Sequence, residues 1–356
     1  MSTLKHLYAA LSLLALSSGA HAIPHCAWLT TPGPLRYDID LGNTWVARDA
    51  PVGSMIGQIR NLTAAEAQGR QIRCDNDGSG TLTFQASPAV PVHPNPLPPV
   101  NSWNVDGKVL DTGIPGVGLY IRLGFPFTGG ASNAFTPKND VAIPYDGDHA
   151  REVGATPIQI NTASTLIASY TLIKTGPIPA GLQRFGKQMA RSQITDLGSA
   201  LDIHVSGGVQ QAQCTLKADA VSADPVQLGT HEVKDFTGVG STTAATDFHI
   251  TLSDCEDDSA GSIARAFVRL EGARGSVPLL PGLGVFGLSS NSSAAGIAIQ
   301  LLRSDNTPMP LQQDEPVTAL SIGVTRLDFK ARYYQMEAKV TPGLAEGALD
   351  FTISYR

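Results

Sequence analysis

Period-2 alternation of apolar and polar residues is the feature that most constrains how this chain folds. Residues 348–356, ALDFTISYR, have an apolar side chain at every second position, at Leu349, Phe351, Ile353 and Tyr355. Such alternation is typical of a strand with one buried face. Turn-forming residues are frequent, with 36 Gly and 24 Pro, and no long run has the helical period. The sequence therefore predicts an all-β protein of the sandwich type.

The N-terminus has the three parts of a secretory signal peptide. Lys5 supplies a positive charge, an apolar run follows at 7–16, and AHA at 20–22 is a cleavage motif. We expect residues 1–22 to be removed, so that the mature chain begins at Ile23 and is exported through the periplasm. The net charge is −6, and no basic patch is visible, which argues against a nucleic-acid partner.

The four cysteines fit an oxidising compartment. Cys26 and Cys74 lie in the first half of the chain and Cys214 and Cys255 in the second, with a long stretch without cysteine between them. Four cysteines allow three connectivities, and one disulfide in each half is the simplest interpretation. The alternative is a metal site, which would need closer cysteine pairs or histidines at ligand spacing.

The spacing of strand patterns predicts two domains. The segment GSALDIHV at 198–205 alternates like a last strand, and QAQCTL at 211–216 begins a new one. We therefore place the boundary near Ser206-Gly207-Gly208, at about residue 206, with one domain at 23–205 and a second at 206–356. Within the first, 126–152 is rich in Gly, Asn, Asp, Pro and aromatic residues, a composition typical of long functional loops.

The C-terminal half carries several motifs in a fixed order. A first cysteine lies in QCTL, a second ends FHITLSDC, and GIAIQLLRSDNTPMPL follows as a hairpin with turn chemistry. Gly343 is fourteenth from the end and Tyr355 is penultimate. In order and spacing, residues 206–356 resemble the pilin domain of chaperone–usher fimbriae.

This resemblance implies an incomplete Ig-like β-sandwich that lacks its last strand; a complete Ig-like domain is the alternative. In the family, a periplasmic chaperone supplies the missing strand first, and the donor strand of the next fimbrial subunit then replaces it. An outer-membrane usher is the other implied partner. The last strand borders the groove, and chaperones bind its terminal carboxylate. The implied assembly residues are Gly343, Leu349, Phe351, Ile353, Tyr355 and Arg356.

The N-terminal half implies a tip position. Ordinary pilins begin with a donor segment before their first cysteine strand, whereas here a whole domain occupies that place. RDAPVGSMI at 48–56 and LIKTGPIPAG at 172–181 are similar to stretches of lectin-like adhesin domains. The resemblance implies a two-domain tip adhesin, extracellular at the end of the fimbria, that binds a carbohydrate or glycoprotein receptor and has no catalytic activity.

Residues 74–77 carry the Cys-x-Asn-Asp pattern of the mannose-binding type 1 fimbrial adhesin. The resemblance implies ligand contacts at Asn76 and Asp77, and at the mature N-terminal residue Ile23. The loop after Asp77 turns straight into a strand, and the late polar set of that pocket is missing. Both departures argue against a mannose pocket of that type. An Asx turn, which also favours Asn, Asp and Gly, explains Asn76 and Asp77 equally well.

Other residues fit a sugar site by their chemistry. Amide and carboxylate groups orient hydroxyls and aromatic faces cover the sugar ring, and Trp103, Tyr145, Asp146 and Asp148 offer both. YDGDH at 145–149 also suggests a Ca²⁺ loop, but two acids one residue apart are more typical of a solvated turn, so we predict neither a metal nor another cofactor.

Two other functions compete with adhesion. One is a minor structural or initiating fimbrial subunit without receptor binding, and the other is a secreted glycan hydrolase. GLGVFG at 282–287 fits the dinucleotide fingerprint by its letters, but LSSNSS follows where the fingerprint needs a helix. No motif favours catalysis.

Overall fold

The computed structural model describes residues 24–151, 158–161 and 165–356, and the predicted all-β class is confirmed. The predicted signal peptide and Ile23 lie outside the described residues. The first strands are β1 His25–Trp28, β2 Leu35–Ala47, β3 Met55–Ala64, β4 Gln71–Asp75, β5 Leu82–Pro88, β6 Leu110–Asp111, β7 Val117–Leu123, β8 Thr136–Pro137, β9 Tyr145–His149, β10 Ile158–Asn161, β11 Leu166–Lys174 and β12 Gln183–Ile194.

The chain continues with the long strand β13 Gly198–Val221. The strands that follow are β14 Thr246–Glu256, β15 Arg265–Ala273, β16 Pro278–Leu280, β17 Val285–Phe286, β18 Ile297–Arg303, β19 Glu315–Ala319, β20 Gly323–Gln335 and β21 Ala348–Tyr355. The helices of the described residues are two 3-10 turns, Val233–Asp235 and Pro281–Leu283. Neither is long or apolar enough to span a membrane.

The N-terminal region comprises β1 to β12 and the first half of β13. Its sheets have the orders β1-β4-β10, β3-β11-β7-β6 and β13-β12-β5-β9-β8, with β2 added in parallel to β13. β2 shows why the sequence folds this way, because Leu35, Tyr37 and Ile39 are buried while the residues between them are exposed. These side chains join a core that collects residues from all three sheets.

The C-terminal region comprises the second half of β13 and the strands β14 to β21. One sheet has the order β13-β14-β20-β18-β17-β16, and the other is β19-β15-β21. Side chains from both sheets, including Leu252, Val268 and Phe329, form a second core between them. This region is therefore a sandwich of two sheets.

The predicted domain boundary falls inside one continuous strand. β13 runs through residue 206 without a break. Its buried side chains up to Val209 belong to the first core, and those from Ala212 onward belong to the second. A Cβ at Gly208 would lie 2.3 Å from Oδ1 of Asn43, so this glycine allows β2 to approach β13. The Gly-Gly pair thus serves strand packing within the sheet, and the division at 206 stays a prediction.

The predicted disulfide arrangement of one bridge in each half is confirmed. Cys26 is bonded to Cys74, and Cys214 to Cys255. The first bridge joins the paired strands β1 and β4, and the second joins β13 and β14. Each therefore cross-links neighbouring strands of its own region, and neither connects the two regions.

Candidate functional site

An open groove of about 1290 Å³, lined by both apolar and polar side chains, lies at the two-sheet core of the C-terminal region. Inward-facing side chains of β14, β15, β20 and β21 line it, together with the segment that follows β13 and the loop before β21. Among the lining residues are Val221, Phe248, Ile250, Leu270, Phe329 and Phe351. Several of them also belong to the second core or pack against it, so the groove is an opening into the interior of the sandwich.

Strand β21 borders this groove with one unpaired edge. It pairs antiparallel with β15, in one register from Ala348 to Tyr355, and with no other strand of the described chain. Leu349, Phe351 and Ile353 are half-buried and pack against the second core. Their partial exposure at positions that face the interior is the consequence of the open groove.

The remaining predicted assembly residues surround the same strand. A Cβ at Gly343 would lie 2.6 Å from the backbone N of Ala294, so glycine allows the groove-lining loop to pack against residues 293–294. Tyr355 is 2% exposed, and its hydroxyl donates to the Cys214 carbonyl at 3.2 Å. Arg356 is exposed and pairs with Asp314 at 2.6 Å. A role for these residues in chaperone binding stays a prediction.

Asn76, one of the predicted ligand contacts, is occupied by the protein itself. It is 4% exposed, and its amide donates to the carbonyl oxygens of His149 at 2.9 Å and Gly80 at 3.2 Å. Its Oδ1 accepts from the Gly78 N–H at 2.8 Å, which is an Asx turn. This geometry gives Asn76 a structural task, and its role as a ligand contact stays a prediction.

Asp77 lies beside it on the surface. Its Oδ1 accepts hydrogen bonds from the Ser79 hydroxyl at 2.5 Å and from the Ser79 N–H at 2.9 Å. These bonds to the ionised form, that from the hydroxyl first, hold the pKa of the Asp77 carboxyl below its usual range. Asp77 is thus an exposed, ionised acid at a tight turn.

A polar concavity of about 520 Å³ lies on the N-terminal region, between β5, the loop before β6 and the segment leading into β9. Its volume falls in the range of small-ligand sites. Of the predicted ligand residues, Tyr145 and Asp146 line it; Tyr145 is 3% exposed and belongs to the first core. The polar side chains that line it are Gln85, Ser87, Asp106, Lys108, Asn139, Asp140 and Asp146.

Asp148 does not line this concavity. Lys138 lies between Asp146 and Asp148, with its Nζ 3.0 Å from one carboxylate and 3.2 Å from the other. The two acids raise the pKa of Lys138 through hydrogen bonds and charge, Asp146 first. Their negative charge is therefore balanced by a cation of the protein, as in an ordinary solvated ion pair.

Trp103 lies near this concavity, connected to it by an ion-pair cluster. Its ring packs beneath the guanidinium of Arg122 at 4.6 Å, and Arg122 pairs with Asp140 at 3.3 Å. Lys108 also pairs with Asp140, at 2.9 Å. Burial opposes ionisation of Asp140, but the hydrogen bond from Lys108 and the charges of both cations outweigh it and lower the pKa of Asp140. One face of Trp103 is thus covered by Arg122.

A third cluster joins the two regions at the end of β2. Asp49 exchanges two hydrogen bonds with Tyr355, and the guanidinium of Arg48 lies over the Tyr355 ring at 4.7 Å. Lys174, 6% exposed, donates from Nζ to the Arg48 carbonyl at 2.6 Å. Burial lowers the pKa of Lys174. Arg48, Asp49 and Lys174 lie in the two stretches, 48–56 and 172–181, that are similar to parts of adhesin domains.

Apart from Tyr145 and Asp146, sequence reasoning did not identify the lining of the concavity, and it did not identify the junction between the regions. Asn139 and Asp140 lie inside the loop at 126–152 that composition marks as functional, and this was the available signal for them. Gln85, Ser87 and Asp106 carry no motif. Among the described residues, no group of three or more His, Cys, Asp or Glu side chains could hold a metal ion.

Comparison with known sequences identifies the C-terminal region. The family model for fimbrial proteins matches residues 203–356. Fimbrial subunit type 1 of Salmonella typhimurium is 35% identical over 158 residues, which covers 43% of this chain and 81% of that protein. Type-1 fimbrial protein, A chain, of Escherichia coli (strain K12) is 30% identical over 158 residues, which covers 43% of this chain and 82% of that protein.

Solved structures add weaker likenesses. The CupB6 tip adhesin from Pseudomonas aeruginosa aligns with 93% of this chain and 94% of its own, at 15% identity and a TM-score of 0.36. The receptor binding domain of adhesin MrkD1P of Klebsiella pneumoniae aligns with 54% of this chain and 100% of its own, at 17% identity and a TM-score of 0.30.

Proposed function

The chain belongs to the fimbrial protein family, and on that basis we propose that it is a chaperone–usher fimbrial subunit that accepts a donor strand and carries a receptor-binding domain at the fimbrial tip. The observation that carries the proposal is the open groove beside the unpaired edge of β21, into which apolar side chains of the second core face. A sandwich with an interior opening of this kind leaves apolar side chains and backbone groups unsatisfied. One inserted strand would satisfy both.

The proposed partners are those that membership of the fimbrial family implies. A periplasmic chaperone would first supply the strand, an outer-membrane usher would take part in assembly, and the next subunit would then supply its donor strand. The strand must alternate apolar and polar residues, because one of its faces meets the groove and the other meets solvent.

Peptide complementation tests the proposal on the full chain. The probe is a synthetic peptide of alternating Val and Thr, called here the alternating peptide, and a scrambled peptide of the same composition is the control. At a concentration about a hundred times its Kd, the alternating peptide should stabilise the C-terminal region by about 2.7 kcal/mol. Calorimetry would show this as a rise in melting temperature that the scrambled peptide does not produce.

Two variants of β21 sharpen this test. The side chain of Phe351 lines the groove, whereas that of Thr352 is exposed on the opposite face of the strand. Phe351→Asp should abolish the response to the alternating peptide, and Thr352→Asp should keep it. A chain that ignores the alternating peptide, or a Phe351→Asp variant that responds like the parent, would contradict donor-strand acceptance.

The tip position rests on what precedes the matched domain. The residues before its first strand belong to β12 and the first half of β13, which are core strands of a folded region. They are therefore not a free segment that could be donated to another subunit. A subunit that accepts a strand without donating one ends a fibre.

Receptor binding is assigned to the polar concavity. Amide, hydroxyl and carboxylate groups of Gln85, Ser87, Asn139 and Asp146 border it, and such groups orient sugar hydroxyls. The full chain, loaded with the alternating peptide, should bind members of a glycan array, and Asn139→Ala should reduce that binding. Asp247→Ala, which removes an exposed acid of the C-terminal region, is the matched control.

Absence of binding to any glycan of the array and to host proteins would favour the alternative of a minor structural or initiating subunit. Hydrolysis of a bound glycan would favour the secreted hydrolase. Binding that Asn139→Ala leaves unchanged would place the receptor site elsewhere on the molecule.

A further inference from the structure

The unpaired edge of β21 has an alternating set of open backbone groups. Arg356 and Arg265 form a doubly hydrogen-bonded pair. The Arg356 N–H donates to the Arg265 carbonyl at 3.1 Å, and the Arg265 N–H donates to the Arg356 carbonyl at 2.7 Å. In an antiparallel ladder such pairs alternate with residues whose N–H and C=O point to the other side. The register has no shift, so the outward-pointing residues are Leu349, Phe351, Ile353 and Tyr355.

Of these four residues, Tyr355 already has partners on the outer side. Its N–H donates to Oδ2 of Asp49 at 2.9 Å, and its carbonyl accepts from the Asp49 N–H at 3.0 Å. Leu349, Phe351 and Ile353 have no comparable bond in the described part of the chain. Asp49 belongs to the N-terminal region and occupies the place that the next residue of an added strand would take.

Asp49 is held there by several contacts. The Arg48 N–H donates to the Ala212 carbonyl at 3.1 Å, and Lys174 binds the Arg48 carbonyl from the other side. The Arg48 side chain pairs with the Asp49 carboxylate at 3.1 Å. Trp45 and Ala50, which flank this segment, pack against the second core. The segment is therefore a fixed part of the groove end.

We infer that Asp49 ends the acceptor edge: a donor strand pairs with Leu349, Phe351 and Ile353 and stops before Tyr355, where the N-terminal region completes the ladder. This inference rests on the proposed function of donor-strand acceptance. It defines the partner surface, because the register and reach of the incoming strand are set by this chain's own first domain. It also places the junction between the regions and the donor site on one strand.

Residue-resolved amide hydrogen exchange on the full chain tests this, with and without the alternating peptide. In the parent, the Tyr355 amide should exchange slowly in both states, and the amides of Leu349, Phe351 and Ile353 should slow only when the peptide binds. Asp49→Ala should speed exchange at Tyr355 roughly tenfold without peptide, because the acceptor is lost. Asp49→Asn keeps an acceptor oxygen and should remain near the parent. Asp38→Ala, which removes an exposed acid of β2, the strand that precedes Asp49, controls for lost charge.

The outcomes separate the two proposals. If the peptide protects Phe351 and Ile353 but the parent Tyr355 amide exchanges freely until the peptide binds, Asp49 does not end the edge and the inference fails, while donor-strand acceptance stands. If the peptide protects none of these amides, donor-strand acceptance itself fails. If the Asp49→Ala chain loses protection at all its amides, the peptide-bound state of that variant decides. Exchange of the Tyr355 amide as fast as that of unbonded amides supports the inference. Exchange of the Tyr355 amide as slow as in the parent overturns it.

Discussion

The strongest test of the N-terminal region concerns the loop after the first disulfide. Asn76→Ala removes three hydrogen bonds, those to His149 and Gly80 and the one from Gly78. It leaves the buried His149 carbonyl without this donor. At a net value of about 1 kcal/mol for each bond, the variant should lose about 3 kcal/mol of the free energy of unfolding. For a domain of this size, that corresponds to a fall in melting temperature of about 6–12 °C.

Scanning calorimetry of the full chain measures this fall in the transition of the N-terminal region. Asp77→Ala is the matched control, because Asp77 is exposed and, within the described part of the chain, its side chain bonds to Ser79 of its own turn; its melting temperature should stay close to the parent value. If Asn76→Ala melts like the parent, the assignment of Asn76 to the turn and to His149 is wrong. If Asp77→Ala keeps its stability and loses receptor binding, Asp77 is a ligand contact.

Three further predictions concern stability. Phe329→Ala should cost about 3–5 kcal/mol in chemical denaturation, because Phe329 is 2% exposed in the second core; a cost below that of a surface change would show that the core is not packed there. Replacing Cys214 and Cys255 together by Ala removes a bridge of sequence separation 41 and should cost about 4 kcal/mol in the same assay, so equal stability would count against the chain-entropy reasoning. Burial raises the pKa of Tyr37 and Tyr170. Their contribution to the free energy of unfolding is therefore complete below the pKa of an unfolded tyrosine, about 10, and is lost as pH rises above it. Melting temperatures that stay constant from about pH 9 to 12 would refute this.

Local pattern was enough to predict the strands and the family. Residues 348–356, expected as a strand from their alternation, form β21 at Ala348–Tyr355. The motifs around Cys214, Cys255 and Tyr355 lie on β13, β14 and β21 of the region that the fimbrial family matches. These features succeed because each depends on residues close together in sequence.

The junction and the concavity could not be read from local pattern. Asp49 and Tyr355 are 306 residues apart, and only the folded chain shows that Asp49 bonds to Tyr355 on the outer edge of β21. The polar concavity takes its side chains from three separate segments, and only the one that contains Tyr145 and Asp146 was singled out from the sequence. The Gly-Gly pair at 207–208 suggested a domain boundary, because a glycine that permits close packing and a glycine that permits a turn look the same in a sequence.

The continuous strand β13 has a mechanical consequence. It pairs in parallel with β2 from Leu201 to Ala212, with one register shift between Ser206 and Gly208, across the point where one core gives way to the other. A pull directed along β13 loads the hydrogen bonds of this ladder in shear, since they lie across the direction of the strand, and they must stretch together rather than open one after another. The connection between the two regions is therefore stiff under tension, in contrast to a flexible tether that would extend before it bore any load.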